Sequence, residues 1–417
     1  MSKLIIEGSS RLSGNIAVQG AKNSVLPILA ATLLCGDRCV LHNCPQLSDV
    51  ETSVKILRYL GCTVERDGTT LTVDTRPLSR YDIPDDLMRE MRSSIIFLGA
   101  IVASAGMARL TFPGGCELGP RPIDLHVKSL RLMGIDIADH HGILDCEAPD
   151  GLHGAKIALS FPSVGATENI MLAAVLAKGT TIITNAAREP EISDLADFLN
   201  ACGAKISGAG EGTIFIDGVG RLHGAQHVII PDRIVASTYM AAAAVTGGEL
   251  TLEHVVPAHL GSIIPVFEEA GCCIRNAGNS LMISAPERLN AVKFIRTMPY
   301  PGFPTDAQAP VMAMTAVANG TSVFVENIFE SRYKHVGELV RLGANINVEG
   351  RVAVVEGVKR LYGAPVEALD LRGSAALVVA ALAAEGETEL KGLNFLERGY
   401  ENLELCLSSA GACIKKV

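Results

Sequence analysis

The sequence predicts an α/β chain built from six copies of one βαβαββ unit, grouped as two domains of three. Three observations carry this. A helix-ending glycine followed at once by a β-rich run recurs six times. Each copy holds one helix that is apolar on every side and one that is amphipathic. The length of 417 residues exceeds what one ordinary hydrophobic core takes.

The recurring motif is a small or apolar residue, then Gly, two residues, then Ile or Val. It reads Leu60-Gly61-Cys62-Thr63-Val64, Met133-Gly134-Ile135-Asp136-Ile137, Cys202-Gly203-Ala204-Lys205-Ile206, Ala270-Gly271-Cys272-Cys273-Ile274, Leu342-Gly343-Ala344-Asn345-Ile346 and Ala410-Gly411-Ala412-Cys413-Ile414. The glycines stand 73, 69, 68, 72 and 68 residues apart. Lacking Cβ, glycine adopts the left-handed conformation that ends a helix, so each marks a helix stop with a strand behind it. After five of the six, a turn and a second β-rich run follow, as at Asp67-Gly68 before Leu71–Val73 and Gly278-Asn279 before Leu281–Ile283.

The first helix of each unit is small and apolar all round: Leu26–Leu34, Ser94–Ala103, Asn169–Ala177, Ile234–Val245, Ala309–Val317 and Ala375–Ala383. Such helices are buried. The second is amphipathic, as in Val50–Leu60 and His335–Leu342. Units near 70 residues are too long for a common solenoid, so two groups of three fit better. The sixth unit reaches Val417 without its second strand, and Lys3–Glu7 with Asn15–Val18 can supply what is missing. The expected domains are 22–229, and 1–21 plus 230–417.

Hydrophobic residues make up 48% and mean hydropathy is +0.30, with no Trp, so the core is aliphatic. A net charge of −9 with no basic arm argues against nonspecific nucleic-acid binding. No apolar run approaches the roughly 20 residues that span a bilayer, and Met1–Glu7 reads as a strand, not a signal segment. The eleven cysteines are scattered without a Cys-x-x-Cys pair, which fits reduced thiols in the cytoplasm. Cys35, Cys39, His42 and Cys44 come nearest to a metal cluster. Their spacing matches no common zinc pattern, so they are read as small buried residues and no metal is expected.

Polar groups recur at fixed places in the repeat. The starts of the buried helices hold Lys22-Asn23, Arg92, Thr167, Arg233, Asp306 and Arg372. A second set, eleven to thirteen residues before each glycine, is Asp49, Arg121, Glu191, His259, Arg332 and Arg398. Any one of these is accountable as a cap or a solvated rim residue. Several cations at equivalent places of a cyclic repeat would converge on one crevice, where helix N-termini add N–H groups, and such a crevice suits a polyanion. Asp306 is the acid among them: a helix cap on one reading, a general base on the other.

One stretch carries a nucleophile or acid next to an anion binder: Pro113-Gly-Gly-Cys-Glu-Leu-Gly-Pro-Arg-Pro-Ile-Asp-Leu125. Its alternative reading is a surface turn with a buried cysteine. Arg121 beside Cys116 favours the thiolate. The pattern Gly-Gly-Cys-x-x-Gly-x-Arg-Pro-x-Asp-Leu-His resembles the active-site loop of the UDP-N-acetylglucosamine 1-carboxyvinyltransferase family of enolpyruvyl transferases. Gly20-Ala-Lys-Asn-Ser-Val-Leu-Pro27, Ser163-Val-Gly-Ala-Thr-Glu-Asn169 and Pro304-Thr-Asp306 are similar to further motifs of that family, so the resemblance covers essentially the whole chain.

The resemblance implies a two-domain enolpyruvyl transferase fold, an inside-out α/β barrel with helices inside and sheets outside. It implies transfer of enolpyruvyl from phosphoenolpyruvate to the 3′-hydroxyl of UDP-N-acetylglucosamine, with phosphate released, in the first committed step of peptidoglycan synthesis, and no cofactor. By the same likeness Lys22, Arg121 and Arg398 hold the phosphoenolpyruvate phosphate. Asn23, Arg121, Pro122, Ile123, Asp124, Leu125, Ser163, Val164, Gly165, Asp306 and Ile328 line the sugar-nucleotide site, with Arg92 at its edge. Asp306 takes the hydroxyl proton, Cys116 protonates the methylene carbon, and Arg332, Asp370 and Arg372 support the site. Fosfomycin is implied as an alkylator of Cys116. Phe161 departs from the pattern, standing where some family members carry a lysine, which implies a nucleotide contact without that cation. The competing readings are 3-phosphoshikimate 1-carboxyvinyltransferase, a non-catalytic sugar-nucleotide binder and a six-unit protein scaffold. Lys22-Asn23 and Cys116 speak against the first, and the recurring arginines against the last.

Overall fold

The computed structural model describes residues 2–8, 10–112 and 123–417. The chain forms two compact units. One takes residues 20–112 and 123–230, the other residues 2–8, 10–19 and 231–417. Each has its own aliphatic core.

Among the described residues, six four-stranded sheets repeat one strand order. In the third unit Lys156–Ala158 runs parallel to Thr180–Thr184, which pairs antiparallel with Thr213–Asp217, which pairs antiparallel with Lys205–Ser207. Three sheets close by borrowing. Leu4–Glu7 inserts between Glu387–Lys391 and Cys413–Lys416, with Leu4 opposite Leu390 and Ile6 opposite Ile414, and so takes the place the sixth unit lacks. Ser13–Ala17 lies parallel to Glu249–Glu253 as the first strand of the fourth sheet. Gln226–Val228 does the same for Arg38–His42 in the first. Most strands alternate buried and exposed residues, as in Thr213–Asp217, which marks sheets covered on one face.

The buried helices stand behind the sheets. In the second unit of the fold Arg233–Val245, Thr305–Thr315 and Leu371–Ala383 each pack against the other two. Almost every residue of Arg233–Val245 and Leu371–Ala383 is buried, which an all-apolar helix requires. All six motif glycines have positive φ, from 89° at Gly134 to 104° at Gly61, and a strand starts two residues after each. A side chain there would be strained, which is why the motif needs glycine.

One buried helix differs from its sequence pattern. The stretch around Ser94 is 3-10 over Arg92–Ile96 and becomes α only at Phe97–Ala105. Asn169, from the third buried helix, Val164–Ala174, inserts its side-chain amide between two turns. Its Nδ2 donates to the Ile95 carbonyl at 2.9 Å, and its Oδ1 accepts from the Gly99 N–H at 2.6 Å. These are the two groups an α-helix would join to each other, so the amide substitutes for the i→i+4 bond.

Candidate active site

In the unit of residues 20–230, Lys22 is the first residue of the helix Lys22–Ala31 and is 7% exposed. Its Nζ lies 2.5 Å from Asp49 Oδ2, in the first turn of Ser48–Tyr59. Asn23 is half-buried beside it. The next residue, Ser24, donates its hydroxyl to Asp194 Oδ2. The same carboxylate takes His227 Nε2 at 2.8 Å and the Ile230 N–H at 3.4 Å. One buried acid thus fixes both the start of the Lys22 helix and the segment that ends this unit.

The segment 123–126 and the motif Ser163–Gly165, forty residues apart in sequence, meet through His126. Ser163 caps its helix, accepting from the Ala166 N–H at 3.3 Å. A Cβ at Gly165 would stand 3.3 Å from His126 Cε1, a tight contact that the imidazole would have to relieve by a small shift. Asn169 Nδ2 lies 2.9 Å from His126 Nδ1, so that nitrogen accepts. Burial, with the Arg92 guanidinium nearby, pushes the His126 pKa down to about 4, so the ring is neutral. Asp124 opens the helix Asp124–Leu132 and is exposed; Ile123, Leu125, Val164 and Arg92 are half-buried. Phe161 is exposed. Cys116, Arg121 and Pro122 lie outside the described residues.

In the unit of residues 231–417, Asp306, Arg332, Arg372 and Asp370 form one network. Asp306, in the first turn of Thr305–Thr315, accepts from Arg332 Nη2 on Oδ1 and from Arg372 Nη2 on Oδ2, each at 3.0 Å. Its N-cap position is held by Pro304, so Asp306 is not the cap of its helix. Arg332 and Arg372 are both 2% exposed, and Arg332 Nη2 also donates to the Thr305 carbonyl at 2.9 Å. Asp370 is the N-cap of Leu371–Ala383, accepting from the Arg372 and Gly373 N–H groups at 3.0 and 2.9 Å. Arg372 lies over the Tyr400 ring, 5.5 Å from its centroid. Arg398 is half-buried, two residues before Tyr400. Gln19 braces that turn: its Nε2 donates to the Gly399 carbonyl at 3.3 Å, and its Oε1 accepts from the Glu401 N–H at 2.7 Å.

Sequence reasoning missed Glu326, which is 1% exposed. Its Oε1 accepts from the Ile328 N–H at 2.8 Å, the Phe329 N–H at 3.1 Å and the Thr297 hydroxyl at 2.9 Å; its Oε2 accepts from the Thr305 hydroxyl at 3.0 Å. It sets the Ile328 turn against the start of the Asp306 helix. A lone Glu ending a strand carries no such signal in sequence. His335 was missed as well: it is 2% exposed, and burial pushes its pKa down to about 4 against the opposing pull of Asp370.

Chemically, a carboxylate held by two guanidinium groups keeps a fixed orientation, and a buried lysine at a helix start presents a cation where N–H groups already favour anions. No helix among the described residues is long and apolar enough to cross a membrane.

The sequence profile of the EPSP synthase (3-phosphoshikimate 1-carboxyvinyltransferase) family matches residues 6–407. UDP-N-acetylglucosamine 1-carboxyvinyltransferase 2 of Caldanaerobacter subterraneus subsp. tengcongensis is 50% identical over 417 residues, covering 100% of both chains. UDP-N-acetylglucosamine 1-carboxyvinyltransferase of Geobacter metallireducens is 47% identical over 417 residues, again covering 100% of both. Among solved structures, the enolpyruvyl transferase NikO from Streptomyces tendae matches with a TM-score of 0.91 at 26% identity, covering 100% of this chain and 99% of that one. EPSP synthase from Acinetobacter baumannii matches with a TM-score of 0.74 at 19% identity and the same coverage, a likeness of fold. The six-unit architecture is therefore the enolpyruvyl transferase fold, and the chain belongs to the EPSP synthase family, within it to the UDP-N-acetylglucosamine 1-carboxyvinyltransferases.

Proposed function

We propose that this enzyme transfers the enolpyruvyl group of phosphoenolpyruvate to the 3′-hydroxyl of UDP-N-acetylglucosamine and releases phosphate, committing the sugar nucleotide to peptidoglycan synthesis in the cytoplasm. The observation that carries this is full-length identity of about half to relatives named for that reaction.

The hydroxyl oxygen attacks C2 of phosphoenolpyruvate. Asp306 takes the hydroxyl proton, and its hold by Arg332 and Arg372 supports that role by fixing both carboxylate oxygens. Cys116 delivers a proton to C3, giving a tetrahedral phospho-ketal. C3 then loses a proton, the C2–O bond to phosphate breaks, and phosphate leaves with its electron pair. Lys22, Arg121 and Arg398 hold the phosphate. Asn23, Arg121–Leu125, Ser163–Gly165, Asp306 and Ile328 receive the sugar nucleotide, with Arg92 at the edge and Asp370 behind Arg372. Fosfomycin, an epoxide, alkylates the Cys116 thiolate.

The test is phosphate release with phosphoenolpyruvate and UDP-N-acetylglucosamine, run beside phosphoenolpyruvate and shikimate 3-phosphate. Release with the sugar nucleotide alone supports the proposal. Release with shikimate 3-phosphate alone moves the chain to the other branch of its family, and release with neither leaves a binding protein.

A further inference from the structure

The sulfur atoms of Cys35, Cys39 and Cys202 all lie within 4.8 Å of one another, and all three residues are buried. Sequence spacing had grouped Cys35 and Cys39 with His42 and Cys44 instead. The fold separates that set. His42 Nδ1 meets the Thr70 hydroxyl at 3.2 Å, and the Cys44 thiol points to the Leu41 carbonyl at 3.6 Å. Cys202 arrives from the third unit. It follows the helix Pro190–Ala201, which packs against Gln226–Val228, the strand paired with Arg38–His42. Cys35, Cys39 and Cys202 are buried, but their sequence neighbours Gly36, Arg38 and Gly203 are exposed, so local opening of these turns admits a small ion.

We propose that these three thiols form a binding site for a soft, thiol-seeking ion in three-fold coordination, matched best by trivalent arsenic. Three bonds of about 2.3 Å in the trigonal pyramid of trivalent arsenic set the sulfurs about 3.5 Å apart, inside the 4.8 Å that bounds the observed group. No fourth His, Cys, Asp or Glu joins the group among the described residues, so tetrahedral zinc is short of a ligand. Charge decides the rest. Three thiolates leave one net negative charge on zinc and two on monovalent copper, each costly beneath an apolar shell. On trivalent arsenic they leave none. The step balances without electron transfer: three S–H and three As–OH bonds break, three As–S bonds form, and three waters leave.

The probe is arsenite, added to the full chain carrying Cys116→Ser so that the loop thiol takes no part. After desalting, native mass spectrometry is expected to show a gain of one arsenic less three hydrogens, and arsenic X-ray absorption three sulfur neighbours. Cys39→Ala and Cys202→Ala in that background lower retained arsenic by at least about ten-fold, since even outer-sphere changes at bound ions cost that much. Cys272→Ala with Cys273→Ala, which removes the adjacent pair elsewhere in the chain, leaves retention unchanged. Should either core variant fail to fold by circular dichroism, the sulfur count in the Cys116→Ser protein still decides. Fewer than three sulfur neighbours, or arsenic lost only with Cys272 and Cys273, overturns the proposal.

Discussion

Lys22 and Asp49 form a buried ion pair of 2.5 Å, with side chains 9% and 3% exposed, and the fifth unit repeats the pair with the charges exchanged. Lys22 and Asp306 stand at the same helix-start position, Asp49 and Arg332 at the same position of the second set. Asp306 meets Arg332 at 3.0 Å. Removing one member of a buried pair leaves a desolvated charge. Asp49→Ala is therefore expected to cost about 3–5 kcal/mol in urea unfolding. A loss within half a kcal/mol or so of zero would mean the pair is solvated.

Glu326 accepts four hydrogen bonds that set Ile328 and Thr305. Glu326→Gln replaces one acceptor oxygen by a donor facing existing donors. Stability is expected to drop by about 1–3 kcal/mol, with turnover lowered and KM for UDP-N-acetylglucosamine raised. KM for phosphoenolpyruvate should stay near wild type. Equal increases in both constants would assign Glu326 to general stability alone.

His126 and His335 are buried and neutral, each with its pKa depressed to about 4. Between about 6.5 and 4 the unfolded chain binds protons at these rings and the folded chain does not. Stability therefore falls as pH drops through that window, by up to roughly 3 kcal/mol per ring, and the histidine contribution levels off below it. Chemical denaturation at stepped pH measures the slope. His126→Gln is expected to flatten it by about one proton, and an unchanged slope would show the ring to be solvated.

Cys116→Asp keeps a group able to donate a proton to carbon, with an intrinsic pKa of about 3.9 against about 8.5 for the thiol. Turnover is expected to persist with its optimum moved to lower pH, together with resistance to fosfomycin. Cys116→Ser, whose hydroxyl pKa is far too high, should be nearly inactive. Rate against pH for wild type and both variants is the measurement. An Asp profile superimposable on wild type removes residue 116 as the titrating acid.

Arg398→Ala should lower kcat/KM for phosphoenolpyruvate by about 10- to 150-fold, the equivalent of one charge-assisted contact of about 1.5–3 kcal/mol. The melting temperature should change little, because Gln19 and Tyr400 brace the turn. Wild-type kinetics would exclude Arg398 from the site.

The sequence by itself determined the repeat. A left-handed helix stop is a property of one residue, so Gly61, Gly134, Gly203, Gly271, Gly343 and Gly411 announce themselves locally, and an all-apolar helix announces its burial. It also determined the family, because the loop around Cys116 and the motifs at Lys22, Ser163 and Asp306 are contiguous. Only the tertiary structure decided who meets whom. Asn169 replaces a helical hydrogen bond between Ile95 and Gly99, about 70 residues away. Glu326 joins two segments that no spacing rule connects, and Asp306 of the fifth repeat draws in Arg332 of the same repeat and Arg372 of the sixth. The Cys35 cluster gained Cys202 and lost His42 and Cys44 for the same reason. Side-chain spacing along one element is fixed by backbone geometry, whereas a contact between elements exists only once burial of their apolar faces has chosen how they pack.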